Sequence, residues 1–259
     1  MAAIHTSKGA IGVVERGSGN PLPIIFLHGV GSDKSVWAPQ LAHFGTVRRS
    51  IAFDYPGYGD SDPDPDATRD DFAVAILAAM DALTIDRAHI CGLSLGGVIA
   101  IALHSAAPSR CASLILADSF AVHPEGQAIF DRSEAASRTI GMRGLAEARA
   151  GALLGKAATP AMHAEVIETM SRIDPHAYVV GARAVWLADQ VDRARLIGVP
   201  TLVVVGDEDS ITPLALSEQL TGLIHGARME VIAGSGHLAN LEQDLAFNTT
   251  IDRFLSKID

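Results

Sequence analysis

The sequence predicts an α/β protein with a mostly parallel central sheet, helices on both faces and a helical insertion. Segments typical of strands and helices alternate up to about residue 120 and again from residue 196. A glycine-rich turn, "CGLSLGG" at 91–97, joins an apolar strand to a helix. Residues 121–195 contain helical patterns alone. We therefore expect a core built from residues 1–120 and 196–259, with 121–195 inserted as a lid.

The first half of the chain supplies the alternating elements. Strands are predicted in "GAIGVVERGSG", in "LPIIFLHGVG" and in "VRRSIAFDYPGYGDSDPDPD", where the chain leaves the strand at Asp54 for a Pro/Gly/Asp loop. "TRDDFAVAILAAMDALTI" predicts an amphipathic helix that begins at a capping box formed by Thr68 and Asp71. One face of this helix is apolar: Phe72, Ile76, Met80 and Leu83.

The later elements frame the insertion. Four helices are predicted within it: "PEGQAIFDRSEAASRTI", "GLAEARAGALLG", "PAMHAEVIETMSRI" and "PHAYVVGARAVWLADQV". Strands then return in "VPTLVVVGDEDS" and "ARMEVIAGSGH", with "PLALSEQLTGLI" as a helix between them and "LANLEQDLAFNTTIDRFLSKI" as one closing helix. A helical block between two core strands is expected to cover the carboxyl edge of the sheet, where ligands bind in open α/β folds.

Composition limits the classes of partner. The chain of 259 residues carries a formal net charge of −10, and its longest basic cluster is Arg48-Arg49, which argues against binding to nucleic acid or anionic membrane. Cys91 and Cys111 lie in predicted core strands and are expected to be buried free thiols. Without an apolar leader or a membrane-length apolar run, the sequence predicts a soluble cytoplasmic protein. No metal or phosphate-binding motif is present, so we expect neither metal nor cofactor, and nothing specifies an oligomeric state.

Ser94 is the candidate nucleophile. It lies in Gly92-Leu93-Ser94-Leu95-Gly96, which fits the G-x-S-x-G pattern between a strand and a helix. Such a turn holds the serine in strained backbone geometry, and glycines two residues to either side avoid clashes. The serine hydroxyl then lies above the sheet edge, at the positive end of the following helix. An idle serine in a glycine-rich turn is the alternative.

A serine nucleophile needs a base and a group that orients the base. His237 in "GSGHLANLE" and Asp209 in "GDEDSITP" both follow predicted strands, and so belong to the same sheet edge as Ser94. The chain order Ser, acid, His is the order found in α/β-hydrolases. Taken alone, a histidine before a helix and an aspartate in a turn can each be purely structural. Three other carboxylates remain open as the acid: Asp207, Glu208 and Asp118.

The oxyanion of an acyl-transfer reaction is usually held by backbone N–H groups. Leu95, which follows the candidate nucleophile, is one expected donor, and Val30 in "HGVGS" is the other. Gly29 and Gly31 would allow this backbone to come close. His28 is expected to be a structural hydrogen-bonding residue rather than a second base.

These segments together resemble the α/β-hydrolase superfamily over nearly the whole chain. The resemblance rests on "FLHGVGSDKSVWAPQL", "FDYPGYGDSD", "CGLSLGG", "GDEDSITP" and "GSGHLANLEQ", and implies the α/β-hydrolase fold with a Ser/Asp/His triad. Within the superfamily the chain is most similar to the 3-oxoadipate enol-lactonase and carboxylesterase group, through "WAPQL", "AHICGLSLGG", "LILADS" and "GHLANLEQ". It differs from that group in having the more esterase-like "LHGVGS". Meta-cleavage C–C hydrolases are also similar but often have a tryptophan where Leu238 stands.

The sequence therefore predicts a serine hydrolase of small-molecule carboxylic esters or lactones that works through an acyl-enzyme. The alternatives are a C–C bond hydrolase with the same triad, a cofactor-free perhydrolase or haloperoxidase, and a receptor of this fold that senses a ligand. Trp186 and Phe130 in the insertion are candidate substrate-binding residues, and Tyr178 is a third aromatic there. At helical spacing such aromatics are more often core residues.

Overall fold

The computed structural model describes residues 3–259, and its centre is one eight-stranded sheet. The strands lie in the order β1-β2-β4-β3-β5-β6-β7-β8. Their bounds are β1 Ala3–Thr6, β2 Gly9–Arg16, β3 Ile24–Leu27, β4 Ser50–Phe53, β5 Ala88–Leu93, β6 Cys111–Ala117, β7 Thr201–Gly206 and β8 Arg228–Ile232. β1 pairs antiparallel with β2, and β2 pairs antiparallel with β4. The other five pairings are parallel, which confirms the predicted sheet.

Helices cover both faces of this sheet. Those of the core are α1 Ala38–Phe44, α2 Arg69–Ala82, α3 Leu95–Ala106, α9 Leu214–Leu223, α10 Ala239–Glu242 and α11 Asp244–Leu255, with short 3-10 helices at Lys34–Trp37 and Pro108–Arg110. Successive side chains of β3 point to opposite faces. Ile25 packs in the apolar cluster that contains Phe72 of α2, whereas Phe26 packs in the cluster that contains Phe254 of α11. The sheet therefore has a separate apolar core on each face.

Several local predictions are confirmed. α2 begins with the capping box of Thr68 and Asp71, in which each side chain bonds the other residue's backbone N–H. α3 ends at Ala106, just before Pro108, and both cysteines are buried free thiols. Among residues 3–259, no helix has both the length and the apolar character that a membrane crossing requires.

Between β6 and β7 the chain forms helices without a strand. These are α4 Gly126–Thr139, α5 Gly141–Leu153, α6 Pro160–Ser171, α7 Pro175–Trp186 and α8 Val191–Arg195. The sequence predicted the first four. α8 was not predicted, since the fourth predicted helix ended at Val191. We call residues 121–195 the helical insertion.

The closing helix is not continuous, contrary to the prediction. Gln243 has φ −131° and ψ 52°, outside the helical region, and separates α10 from α11. Gln243 and the residue before it, Glu242, both make tertiary hydrogen bonds. Gln243 donates from Nε2 to the Gly234 carbonyl, and Glu242 accepts from the Gly236 N–H. The break therefore follows from contacts with the loop after β8, which helical periodicity does not reveal.

Candidate active site

Ser94 lies between β5 and α3 in the geometry expected of a nucleophile. Its φ of 54° and ψ of −112° are strained for a residue with a side chain. A Cβ on Gly92 would collide with the Gly96 carbonyl, and a Cβ on Gly96 would collide with the Leu27 carbonyl. The two glycines therefore allow the backbone approaches that the turn requires.

His237 and Asp209 meet in loops that follow β8 and β7. His237 Nδ1 lies 2.9 Å from Asp209 Oδ2, and both residues are buried. Asp209 Oδ1 accepts from the N–H groups of Ile211 and Thr212, at 2.8 and 2.9 Å. Burial raises the pKa of Asp209, but His237 and the hydrogen bonds from Thr212 outweigh it and lower the pKa to about 2. The carboxylate is thus charged and directed at the imidazole.

The other three carboxylates bond elsewhere. Asp207 accepts from the Gly234 N–H and Glu208 accepts from the Lys156 N–H, both at 2.7 Å. Asp118 is fully buried at the end of β6, and its Oδ1 accepts from Gly206 N–H at 2.8 Å. Its Oδ2 has no hydrogen-bond partner among residues 3–259. Burial, with a further contribution from Asp209, raises the pKa of Asp118 well above its usual value.

Ser94 and His237 line the same cavity beneath the helical insertion. No hydrogen bond joins their side chains within the described part of the chain; such contacts often tighten only when substrate binds. This inner cavity has a volume of about 40 Å³ for the centres of water-sized molecules, which is room for roughly three waters. Part of its wall is Met170, a flexible side chain that faces Gly31. A larger ligand therefore requires such wall side chains to move.

The expected oxyanion donors lie close to Ser94. A Cβ on Gly29 would be 3.5 Å from the Ser94 Cβ, so this loop runs beside the serine. Val30 lines the inner cavity, and its N–H has no acceptor among residues 3–259. Leu95 is the first residue of α3, so its N–H has no acceptor within the helix.

Hydrogen bonds from two buried tyrosines fix the loop that contains Val30. Tyr58 donates from its hydroxyl to the Val30 carbonyl at 3.3 Å, and Tyr55 donates to the His28 carbonyl at 3.1 Å. His28 is fully buried and donates from Nδ1 to the Gly29 carbonyl, in keeping with a structural role. The donors in these bonds, His28, Tyr55 and Tyr58, are not among the residues that line the inner cavity.

A second, wider cavity lies next to the first. Its volume, measured for the centres of water-sized molecules, is about 670 Å³. It is bordered by α4, α5 and the start of α9 and is more open to solvent than the inner cavity. Trp186 and Arg149 line both cavities and so form the wall between them. Phe130 is not among the residues that line either cavity; its ring lies 5.7 Å from the Arg183 guanidinium carbon.

The two residues that separate the cavities, Trp186 and Arg149, differ in polarity. Trp186 is buried and its ring stacks on Phe120, with centroids 5.8 Å apart. Arg149 is half-buried and donates from Nη1 to the hydroxyls of Tyr178 and Ser133, at 3.2 and 3.3 Å. Its partners among residues 3–259 are thus hydroxyls rather than a carboxylate. The other side-chain nitrogens of Arg149 make no hydrogen bond within the described part of the chain.

The helical insertion is bonded directly to the loop that contains His237. The His237 N–H donates to the Leu153 carbonyl at 3.0 Å. Glu242 accepts from Gly236 N–H through Oε1 and from Gly155 N–H through Oε2, at 2.9 and 2.6 Å. The end of α5 and the histidine loop are therefore one connected structure.

Within residues 3–259, no group of three or more His, Cys, Asp or Glu side chains is arranged to hold a metal ion. The absence of a cofactor remains a prediction from the sequence.

Comparison with known proteins defines the class to which this fold and site belong. A model of the alpha/beta hydrolase family matches residues 24–250, and the chain belongs to this family. It is 28% identical to 3-oxoadipate enol-lactonase 1 of Acinetobacter baylyi, covering 93% of this chain and 91% of that protein. It is 31% identical to 2-hydroxymuconate semialdehyde hydrolase of a Pseudomonas species, covering 93% and 89%. The crystal structure of the enol-lactonase from Burkholderia xenovorans superposes with a TM-score of 0.91 at 28% identity, over 98% of this chain and 99% of that one.

Two residues of the site were not singled out from the sequence. Thr212 donates from its hydroxyl to Asp209 Oδ2, and Arg149 lies in the cavity wall. The three-residue spacing from Asp209 to Thr212 is typical of a turn closed by an aspartate and was a usable signal. Arg149 has no comparable signal, because an arginine in an amphipathic helix usually faces water.

Proposed function

We propose that this alpha/beta hydrolase is a serine hydrolase that cleaves a carboxylic ester or lactone. The observation that carries the proposal is the 2.9 Å contact of His237 Nδ1 with Asp209 Oδ2, made where His237 and Ser94 line one cavity. A histidine oriented in this way presents Nε2 as the base for a serine hydroxyl.

The reaction follows from these positions. Ser94 Oγ attacks the carbonyl carbon while His237 Nε2 takes its proton, and Asp209 stabilises the imidazolium. The tetrahedral oxyanion is held by the N–H groups of Val30 and Leu95. When the carbonyl re-forms, the C–O bond to the leaving group breaks and His237 protonates the departing oxygen. Water, deprotonated by His237, then attacks the acyl-enzyme and releases the acid and free Ser94.

We propose an acyl or leaving group that carries a carboxylate. Arg149 supports this, since it lines the cavity and its side chain has no carboxylate partner among residues 3–259. Arginine binds carboxylates through paired hydrogen bonds. The similarity to proteins named 3-oxoadipate enol-lactonase supports a lactone among the substrates.

We further propose that residues 121–195 act as a lid that selects the substrate. The observations in favour are the walls that this insertion contributes to the cavity beside Ser94, including Leu153, Met170 and Trp186. The chemistry, in contrast, depends on loops of the sheet.

The test is a panel of lactones, neutral esters and half-esters of dicarboxylic acids, run on wild type and Ser94→Ala. We expect hydrolysis by wild type and none by Ser94→Ala. Arg149→Met should raise KM for the half-esters about tenfold or more while changing neutral esters little, because a charged hydrogen bond contributes about 1.5–3 kcal/mol. Equal losses on both substrate types would contradict the role given to Arg149.

A C–C bond hydrolase is the second candidate, and its support is the 31% identity to 2-hydroxymuconate semialdehyde hydrolase. The same triad can serve either reaction. A dienoic diketone in the panel separates the two, since preferential cleavage of its C–C bond would favour this candidate over the esterase or lactonase.

A further inference from the structure

Thr212 makes a contact with the acid–base pair that the proposed mechanism does not use. Its hydroxyl lies 2.5 Å from Asp209 Oδ2, the same oxygen that lies 2.9 Å from His237 Nδ1. Thr212 Oγ1 and His237 Nδ1 are themselves 3.3 Å apart. All three side chains are buried, and Thr212 is fully so. Two donors therefore converge on one carboxylate oxygen in a site with little water.

The protons in this cluster can be assigned from the chemistry of the groups. The carboxylate of Asp209 is an acceptor only, so both the hydroxyl and the imidazole N–H donate to Oδ2. Oδ1 already accepts from the N–H groups of Ile211 and Thr212. Four donors thus occupy the carboxylate, and Thr212 supplies two of them.

We propose that Thr212 is a positioning residue that fixes Asp209 against His237 and limits the basicity of the imidazole. This inference rests on the proposed function, in which His237 is the base. The hydroxyl withdraws negative charge from Oδ2, since a hydrogen bond to a carboxylate stabilises its charged form. The part of that charge left to stabilise the imidazolium is therefore smaller.

Other ionisable groups surround the pair but are unchanged when Thr212 is replaced. Those on neighbouring elements are Asp118 at the end of β6, Glu208 beside Asp209, Glu242 in α10, and Arg149 and Glu165 on the walls from α5 and α6. Their effects cancel in a comparison between wild type and variants at Thr212.

The variant that isolates the hydroxyl is Thr212→Val, which keeps the shape of the side chain and leaves both backbone bonds to Oδ1. With less of the charge on Oδ2 withdrawn, the pKa of His237 should rise by about half a pH unit or more. The acid limb of the kcat/KM profile should move upward by the same amount. Loss of the orienting bond should also lower kcat by roughly tenfold. Thr212→Ser restores the hydroxyl and should recover most of both effects.

The experiment measures kcat, the pH profile of kcat/KM and the titration of His237 by NMR. The His237 signal is assigned by its loss in His237→Gln. Thr201→Val is the matched control, because Thr201 is also a buried threonine, but its hydroxyl bonds to the Val199 carbonyl. It should leave the pH profile and the titration of His237 unchanged.

The outcomes separate the inference from the proposed function. An upward shift of the His237 titration in Thr212→Val that is reversed in Thr212→Ser supports the inference, even if no ester or lactone is hydrolysed. The absence of ester and lactone hydrolysis would refute the proposed function alone. A titration of His237 in Thr212→Val that matches wild type overturns the inference, as does a serine variant that behaves like valine. A fall in Tm and activity without a shift of the pH profile also overturns the inference, since a merely structural threonine would give that result.

Discussion

Asp209→Asn should abolish most activity without disturbing the fold, because the substitution changes one atom and reverses the direction of its hydrogen bonds. The side-chain carbonyl of asparagine is retained by the N–H groups of Ile211 and Thr212, which lie 2.8 and 2.9 Å from Asp209 Oδ1. The amide nitrogen must then stand where Oδ2 was, 2.9 Å from His237 Nδ1.

An amide nitrogen donates, so His237 must accept at Nδ1 and carry its proton on Nε2. In that tautomer Nε2 can no longer take the proton of Ser94. The expected loss in kcat is on the order of 10⁴, equivalent to about 5.5 kcal/mol of transition-state stabilisation.

The assay compares kcat on an ester with the rate of labelling by a fluorophosphonate, since both steps need the serine activated. Asp118→Asn is the control, as it removes a second buried aspartate that bonds to Gly206 and not to His237. A loss below tenfold in Asp209→Asn, with a crippling loss in Asp118→Asn, would refute the assignment of the acid.

Three further outcomes are expected. A fluorophosphonate should label wild type but not Ser94→Ala, and mass spectrometry of labelled peptides checks that no other residue reacts. Asp118 holds its proton in the folded protein at pH values where the unfolded chain has lost it, so the free energy of unfolding falls as pH rises above about 4. Asp118→Asn removes this pH-dependent loss of stability, so the Tm of the variant relative to wild type should increase as pH rises. A difference in Tm that stays constant across the pH range would contradict this. Trp186→Ala should merge the two cavities and raise kcat/KM for bulky acyl groups relative to acetyl by about tenfold or more, a ratio that stays within twofold if the wall is irrelevant.

What the sequence predicted well depends on contacts that are close along the chain. The strand before Ser94, the helix after it and the flanking glycines form one short segment, so its pattern defines the turn. The parallel sheet follows from the alternation of such segments. The break at Gln243 was missed because its cause is a hydrogen bond to Gly234.

The residues that line the cavities were harder to predict. Helical spacing marks Phe130 and Trp186 equally as apolar positions, but only the packing of one helix against another decides which of them reaches a cavity. Arg149 meets the cavity through the placement of α5 relative to α4 and α7, where its side chain bonds to Ser133 and Tyr178. The relative placement of two helices is a tertiary property, and no single helix pattern contains it.

The bonds between the end of α5 and the histidine loop limit how this chain can be re-engineered. Because His237 shares a backbone hydrogen bond with Leu153, and Glu242 bonds both segments, the insertion cannot be exchanged as an independent module. A chimera that grafts helices from a relative must keep the residues around Gly155 or supply their counterparts. Otherwise the graft that was meant to change selectivity also misplaces His237, the proposed base.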